Sequence, residues 1–331
     1  MINPWRYNPV RTVVAAAMLA SLASSLAAAG QTPVTISTEA AEIVYWPAPA
    51  SPPAPVPRRL RAFSDVDEPA ASGLDLLNTG WSKEKKLKYL NAGILGGMLA
   101  YGLVYWGYGE TSPQFVDEGW FEHDSIHGGA DKLGHAISTY YAVQAFSSVY
   151  QRWGYDRHWA NIFGSLSAET TFFMIEVGDA FSRNGFCVQD LVADTVGACV
   201  GYLRREYPGF EKRVDFRVEY WPSYAVTSGD DKDLVSDYSG YKYLVALKGS
   251  GFDLTSSSWL QYFELQGGYY TRGYQNGDED HYGDPHRVLY GALAVNLTHI
   301  FDKHNWNKTA SFLRYYQVPY TYLPVEYNLD E

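Results

Sequence analysis

QDLVADTVGACVGYLRREYPGFEKRVDFRVEYW, residues 189–221, decides the fold. Through Arg205 the stretch reads as an apolar helix. It carries Gly197-x-x-x-Gly201, a small-residue spacing that lets two backbones approach closely. Beyond Arg204-Arg205 the hydrophobic period falls from helical to two, and Val214 to Trp221 (VDFRVEYW) alternates as a half-buried strand does. The expected fold class is therefore α+β: a bundle of about four apolar helices over 81–207, followed by an antiparallel β region over 211–331.

Upstream of the switch, apolar segments cover 89–108, 131–152, 159–179 and about 187–203. The first contains about 20 residues with Asn91 as the strongly polar exception, long enough to span a bilayer or to form a buried core helix. Its glycines suit close helix packing, and Tyr105, Trp106 and Tyr108 at its end suit a membrane interface. A Gly-rich, acidic loop separates it from the next segment. Downstream, Tyr241 to Lys248, Trp259 to Tyr270, Val288 to Phe301 and Phe312 to Tyr322 read as further strands, with turn signals such as Gly249-Ser250-Gly251 and Gly283-Asp284-Pro285 between them. About five strands are too few for an independent transmembrane barrel.

Residues 1–29 have the pattern of an export signal: Arg6 and Arg11, an apolar run from Val13 to Leu26, then Ala27-Ala28-Ala29 as a cleavage site. No cysteine lies near that site, so a lipid-modified amino terminus is not expected. Residues 30–80 are expected to be a disordered linker, with the proline-dense PAPASPPAPVP at 47–57 extended and semi-rigid. The formal charge of −11 becomes more negative once a leader with two basic and no acidic residues is removed, which argues against nucleic-acid binding. The 28 Tyr and 10 Trp suit β-sheets and membrane interfaces. The two cysteines, Cys187 and Cys199, lie about 18 Å apart if on one helix, too far for a disulfide, and are expected to be small buried residues.

Ionisable groups recur on the apolar segments as Asp131-Lys132-x-x-His135, Glu176-x-x-Asp179 and Asp190-x-x-x-Asp194. Spacings of three and four place such groups on one helix face. Carboxylates on apolar helices are costly unless they meet a counter-charge, a metal or a ligand. Asp131, His135, Glu176, Asp179, Asp190 and Asp194 are thus expected to form one cluster, with Lys132 or Arg183 offsetting part of its charge. Glu169, seven residues before Glu176, falls on the same face, and Asp190 also reads as a helix-start acid. In a catalytic reading His135 is the base and Asp131 orients it, while Lys132, Glu176, Asp179, Asp190 and Asp194 bind substrate or a divalent cation. In a non-enzymatic reading the cluster is structural, or it binds a lipid or glycan. Glu-x-x-His and His-Glu-x-x-His pairs are absent, as are a nucleophile elbow, a P-loop and a dinucleotide fingerprint. Metal ligands are accordingly left unassigned, and the expected partners are membrane or envelope components.

ADKLGHAIS at 130–138, the Glu176/Asp179 pair and QDLVADTVGACVGY at 189–202 resemble the YfiM-like family of uncharacterised bacterial envelope proteins. SDYSGYKYLVAL at 236–247 looks like a downstream element of its longer members. VanZ-type membrane proteins show a looser likeness, opening with the same Asp-Lys-x-x-His. The resemblance implies a helical core and a place in the periplasm or at an envelope membrane, and it implies no settled activity. The chain departs from the lipoprotein members in lacking a lipidated cysteine and in adding the β region.

Overall fold

The computed structural model describes residues 79–331 except 230–233, 253–257 and 276. The expected signal at 1–29 and all but the end of the expected linker at 30–80 lie outside the described residues. Four long helices come first: α1 (Lys83–Tyr105), α2 (Ala130–Arg152), α3 (Arg157–Asp179) and α4 (Val188–Glu206). Ser82 caps α1 by accepting from the Lys85 amide, and Asp156 caps α3 by accepting from that of Trp159.

α2, α3 and α4 pack around Val143, Phe146, Tyr150, Ala160, Ala168 and Ala198. The spacing Gly197-x-x-x-Gly201 explains how closely α4 approaches α2. A Cβ on Gly197 would stand 2.0 Å from the Ala136 carbonyl oxygen, and one on Gly201 2.8 Å from Val143. α1 leans on α3, its Asn91 also donates to the Tyr150 hydroxyl of α2 at 2.7 Å, and 6% of its most apolar stretch is buried. It is long and apolar enough to cross a membrane. Of the aromatics at its end, Tyr105 is exposed, whereas Tyr108 folds back beneath Gly102 and Gly178 and donates to the Ile175 carbonyl at 3.2 Å.

A two-residue parallel pair, β1 (Phe115–Val116) with β2 (Phe186–Cys187), ties the acidic loop to the start of α4. Nothing in the hydrophobic periodicity announced it. The second half of the chain is a five-stranded antiparallel meander in sequential order: β3 (Val214–Tyr220), β4 (Tyr241–Lys248), β5 (Phe263–Arg272), β6 (His286–Val295) and β7 (Tyr322–Asn328). The α+β class is as expected, but two strands are placed differently. The run 288–301 stops being a strand at Val295, because the Asn296 side chain accepts from the His299 amide and starts α5 (Leu297–Lys303). The run 312–322 begins inside α6 (Asn307–Leu313), and the last strand lies beyond it.

The sheet is strongly rolled. Residues Tyr315 to Gln317 run beside the free edge of β3, where Val218 donates to the Tyr315 carbonyl at 3.0 Å and Gln317 donates to that of Val218 at 2.8 Å. Only a few residues later the chain pairs with β6 at the opposite edge as β7. Tyr322 of β7 then reaches Glu219 of β3 through a side-chain hydrogen bond. α2 covers one end of the convex face, with Tyr140 against Phe216 at 5.4 Å between rings and the Tyr141 hydroxyl donating to the Tyr315 carbonyl at 2.6 Å.

Candidate functional site: a lysine-centred acidic cluster

The bundle gathers its ionisable residues at the amino-terminal ends of α2 and α4 and the carboxy-terminal half of α3. Gly129 precedes α2 with a left-handed φ of 82°, and a Cβ there would meet Phe121 and the Trp120 carbonyl at 2.4–2.5 Å. Glycine is therefore required at that turn, which sets Asp131 and Lys132 in the first turn of α2. The Lys132 side chain enters the interior and is 2% exposed. Its Nζ lies 2.6 Å from Asp131 Oδ2, 2.6 Å from Glu118 Oε2 and 2.8 Å from Asp190 Oδ1, with Cys187 Sγ at 3.6 Å. Burial opposes its charge, but Asp131 and Asp190 more than restore it and hold the ammonium above its usual pKa. Asp131 is likewise held below the usual carboxylate range, since Lys132 outweighs the effect of burial.

His135, one helical turn on, faces a second carboxylate pair. Its Nδ1 lies 3.3 Å from Asp194 Oδ1, and its Nε2 3.9 Å from Asp190 Oδ2. Asp194 is fully buried and also accepts from the Thr139 hydroxyl at 2.8 Å. Burial works against the imidazolium, yet the hydrogen bond to Asp194 and the charges of Asp190, Asp194 and Glu176 lift its pKa to about 9. Glu176, on α3, accepts from the Cys187 amide at 3.1 Å and so satisfies an otherwise open donor at the start of α4. Burial pushes its carboxyl up to about 8 and that of Glu118 up to about 7.

Asp131, Lys132, His135, Glu176, Asp190 and Asp194 thus come together as the spacing suggested, with two departures in detail. The histidine is oriented by Asp194 rather than by Asp131, which is engaged with Lys132. Asp179 closes α3 instead of joining the centre: it accepts from Asn184 Nδ2 at 3.0 Å and Ser182 Oγ at 3.3 Å, and burial lifts it to about 6. Arg183 is exposed on that turn, so Lys132 supplies the offsetting charge. Glu169 stands apart, accepting from Thr195 Oγ1 at 2.7 Å. Of the cysteines, Cys187 is buried and Cys199 exposed, and both are free.

Sequence spacing missed Glu118 and His127. Glu118 comes from the acidic loop, where no helical period relates it to Lys132. His127 packs against Tyr238 with the rings tilted and their centroids 4.6 Å apart, and burial lowers its pKa. Among the described residues, two sets of donor atoms are compact enough for a metal, each within 4.8 Å: Glu118, Cys187 and Asp190, and His135, Glu176 and Asp194. In the first set the Lys132 ammonium already stands among the donors. The second set, one imidazole and two carboxylates, has a composition that suits a divalent cation.

Residues 117–206 match the model of a family described as predicted periplasmic lipoprotein (DUF2279). The match holds every residue of the cluster, and it leaves out α1 and the whole five-stranded sheet. Its description accords with the envelope location expected from the sequence. Neither the curated proteins nor the solved structures contain a match to this chain.

Proposed function

We propose that the chain is a non-enzymatic component of the cell envelope, whose acidic cluster holds the helical bundle together and presents it to membrane or envelope components. The observation that carries this reading is the sealing of the cluster. Asp131, Lys132, Glu176, Asp190 and Asp194 are each at most 5% exposed. A substrate hydroxyl or ester would have to displace an existing ion pair to reach them. A buried lysine with three carboxylates around it is what a structural centre requires, because losing any partner strands a charge.

A second reading rests on His135, Glu176 and Asp194. His135 is the most open member of the cluster, its side chain 19% exposed, and these three donors fit a cation. In that reading the chain is a membrane-proximal hydrolase or transferase for lipid or cell-wall material, with His135 or the bound cation activating the nucleophile.

Asp194→Asn and His135→Gln separate the two, assayed together for melting temperature and for detergent sensitivity of the deletion strain carrying each variant. Under the structural reading both variants lower the melting temperature in step with the loss of complementation, and chelator leaves the parent protein unchanged. Variants that melt normally yet fail to complement, or a parent whose melting temperature falls on chelation, favour the second reading.

A further inference from the structure

The rolled sheet leaves part of its outer face apolar and open. Its concave face combines an apolar cluster, Leu244, Ala246, Tyr270, Val288, Tyr290 and Ala292, with a buried ionic centre. Asp215 is fully buried and ringed by Arg204, Arg217 and Lys248 at 2.7–2.8 Å, and Arg217 also pairs with Glu264 at 2.6 Å. At the end away from α2 the convex face is apolar and open. The strand register lines up Leu247, Leu265, Leu293 and Leu323 as one row across β4 to β7. These four leucines are 41%, 60%, 47% and 74% exposed. The next row pairs Val245 and Val325 with Gly267 and Gly291, and none of these positions carries a charge or a side-chain hydrogen-bonding group. The strand ends on this side lead into Phe252, Trp259, Trp306 and Tyr320, which are 40%, 67%, 60% and 97% exposed.

We infer that this half of the convex face is a membrane-docking surface, its leucine row set into the hydrocarbon boundary and its aromatic rim at the level of the lipid headgroups. Exposed aromatics beside the leucine row suit the water–hydrocarbon boundary. A protein partner fits less well, because an interface of this kind carries about one hydrogen bond per 100–200 Å², and the two apolar rows have no side chain to make one. Strand pairing with a second copy is hindered at the free edge, where Pro324 of β7 has no amide to donate. The opposite end of the convex face is covered by α2 and its preceding loop, where the Tyr269 hydroxyl donates to the Gly128 carbonyl, so the sheet lies on the membrane instead of crossing it. The inference goes beyond the function proposed above and needs from it only that the chain meets a membrane. Cluster variants can therefore fail while docking persists, and the reverse.

The test uses the purified full chain with vesicles of phosphatidylcholine, either plain or with brominated acyl chains. Brominated vesicles are expected to quench tryptophan fluorescence, and Trp259→Phe with Trp306→Phe to remove at least half of that quenching. Leu265→Glu with Leu293→Glu, at sites already open to solvent, is expected to weaken vesicle binding more than tenfold without lowering the melting temperature. Val104→Lys, on the exposed side of α1, is expected to change it less than twofold. Loss of less than half of the quenching on removal of both tryptophans overturns the proposal, as does binding abolished by Val104→Lys alone. A chain that ignores vesicles but becomes monomeric on Leu265→Glu with Leu293→Glu overturns it too, and assigns the patch to contact between copies.

Discussion

Lys132 and His135 sit one helical turn apart and meet the same difficulty, a cation withdrawn from water, with different numbers of partners. The lysine has three carboxylate oxygens within 2.8 Å, enough to offset a desolvation cost of several kcal/mol. The histidine has a long contact to Asp194 and a longer one to Asp190, and its charge depends on pH. Its folded pKa of about 9 lies above its ordinary value, and Glu176 at about 8 lies above the ordinary carboxylate value. Both groups therefore hold protons in the folded chain that the unfolded chain gives up. The contribution of His135 is complete below its ordinary pKa of 6.5 and disappears as pH rises through about 9. That of Glu176 is lost between its ordinary 4.5 and about 8. Thermal stability should consequently decline from neutral pH to about 9, by on the order of 2 kcal/mol through His135. In His135→Gln the alkaline part of the decline should flatten. A melting temperature that is level or rising across that range in the parent protein contradicts the assignment.

At the level of the elements, glycine positions show where packing is tight and where it is not. Gly197→Ala should cost about 1–3 kcal/mol, since its Cβ would lie 2.0 Å from backbone on α2 that cannot yield. Gly96→Ala should stabilise by about 0.5–1 kcal/mol, because nothing lies within 4 Å of that site on α1 and alanine favours the helix. Urea unfolding of the two variants checks both signs. The same elements mark what the sequence discloses. Four apolar runs became four helices, and the change of period after Arg205 preceded the first long strand by a few residues. Period counting failed at Asn296, whose side chain caps a helix inside an apolar run, and at 312–322, which leaves the end of a short helix and runs through turns before the last strand. Helical spacing could relate Asp131 to His135 and Asp190 to Asp194, since each pair shares one helix. It could not bring in Glu118 from a loop, nor foresee that Asp179, at the end of α3, turns its side chain towards Ser182 and Asn184.

On the scale of the molecule, two charge centres of opposite sense organise the two halves. In the bundle a lysine is enclosed by carboxylates, and under the sheet an aspartate is enclosed by cations. Arg204 joins them mechanically: it leaves α4, is 1% exposed, and donates to Asp215 of β3 at 2.8 Å and to the Val214 carbonyl. Bundle and sheet should accordingly unfold together. The Lys132 centre holds the bundle, and equilibrium urea unfolding of Lys132→Met measures how strongly. With Glu118, Asp131 and Asp190 left facing one another without a cation, the variant should lose about 3–5 kcal/mol in a single transition. A loss below about 1 kcal/mol, within the range of an exposed ion pair, would contradict the account.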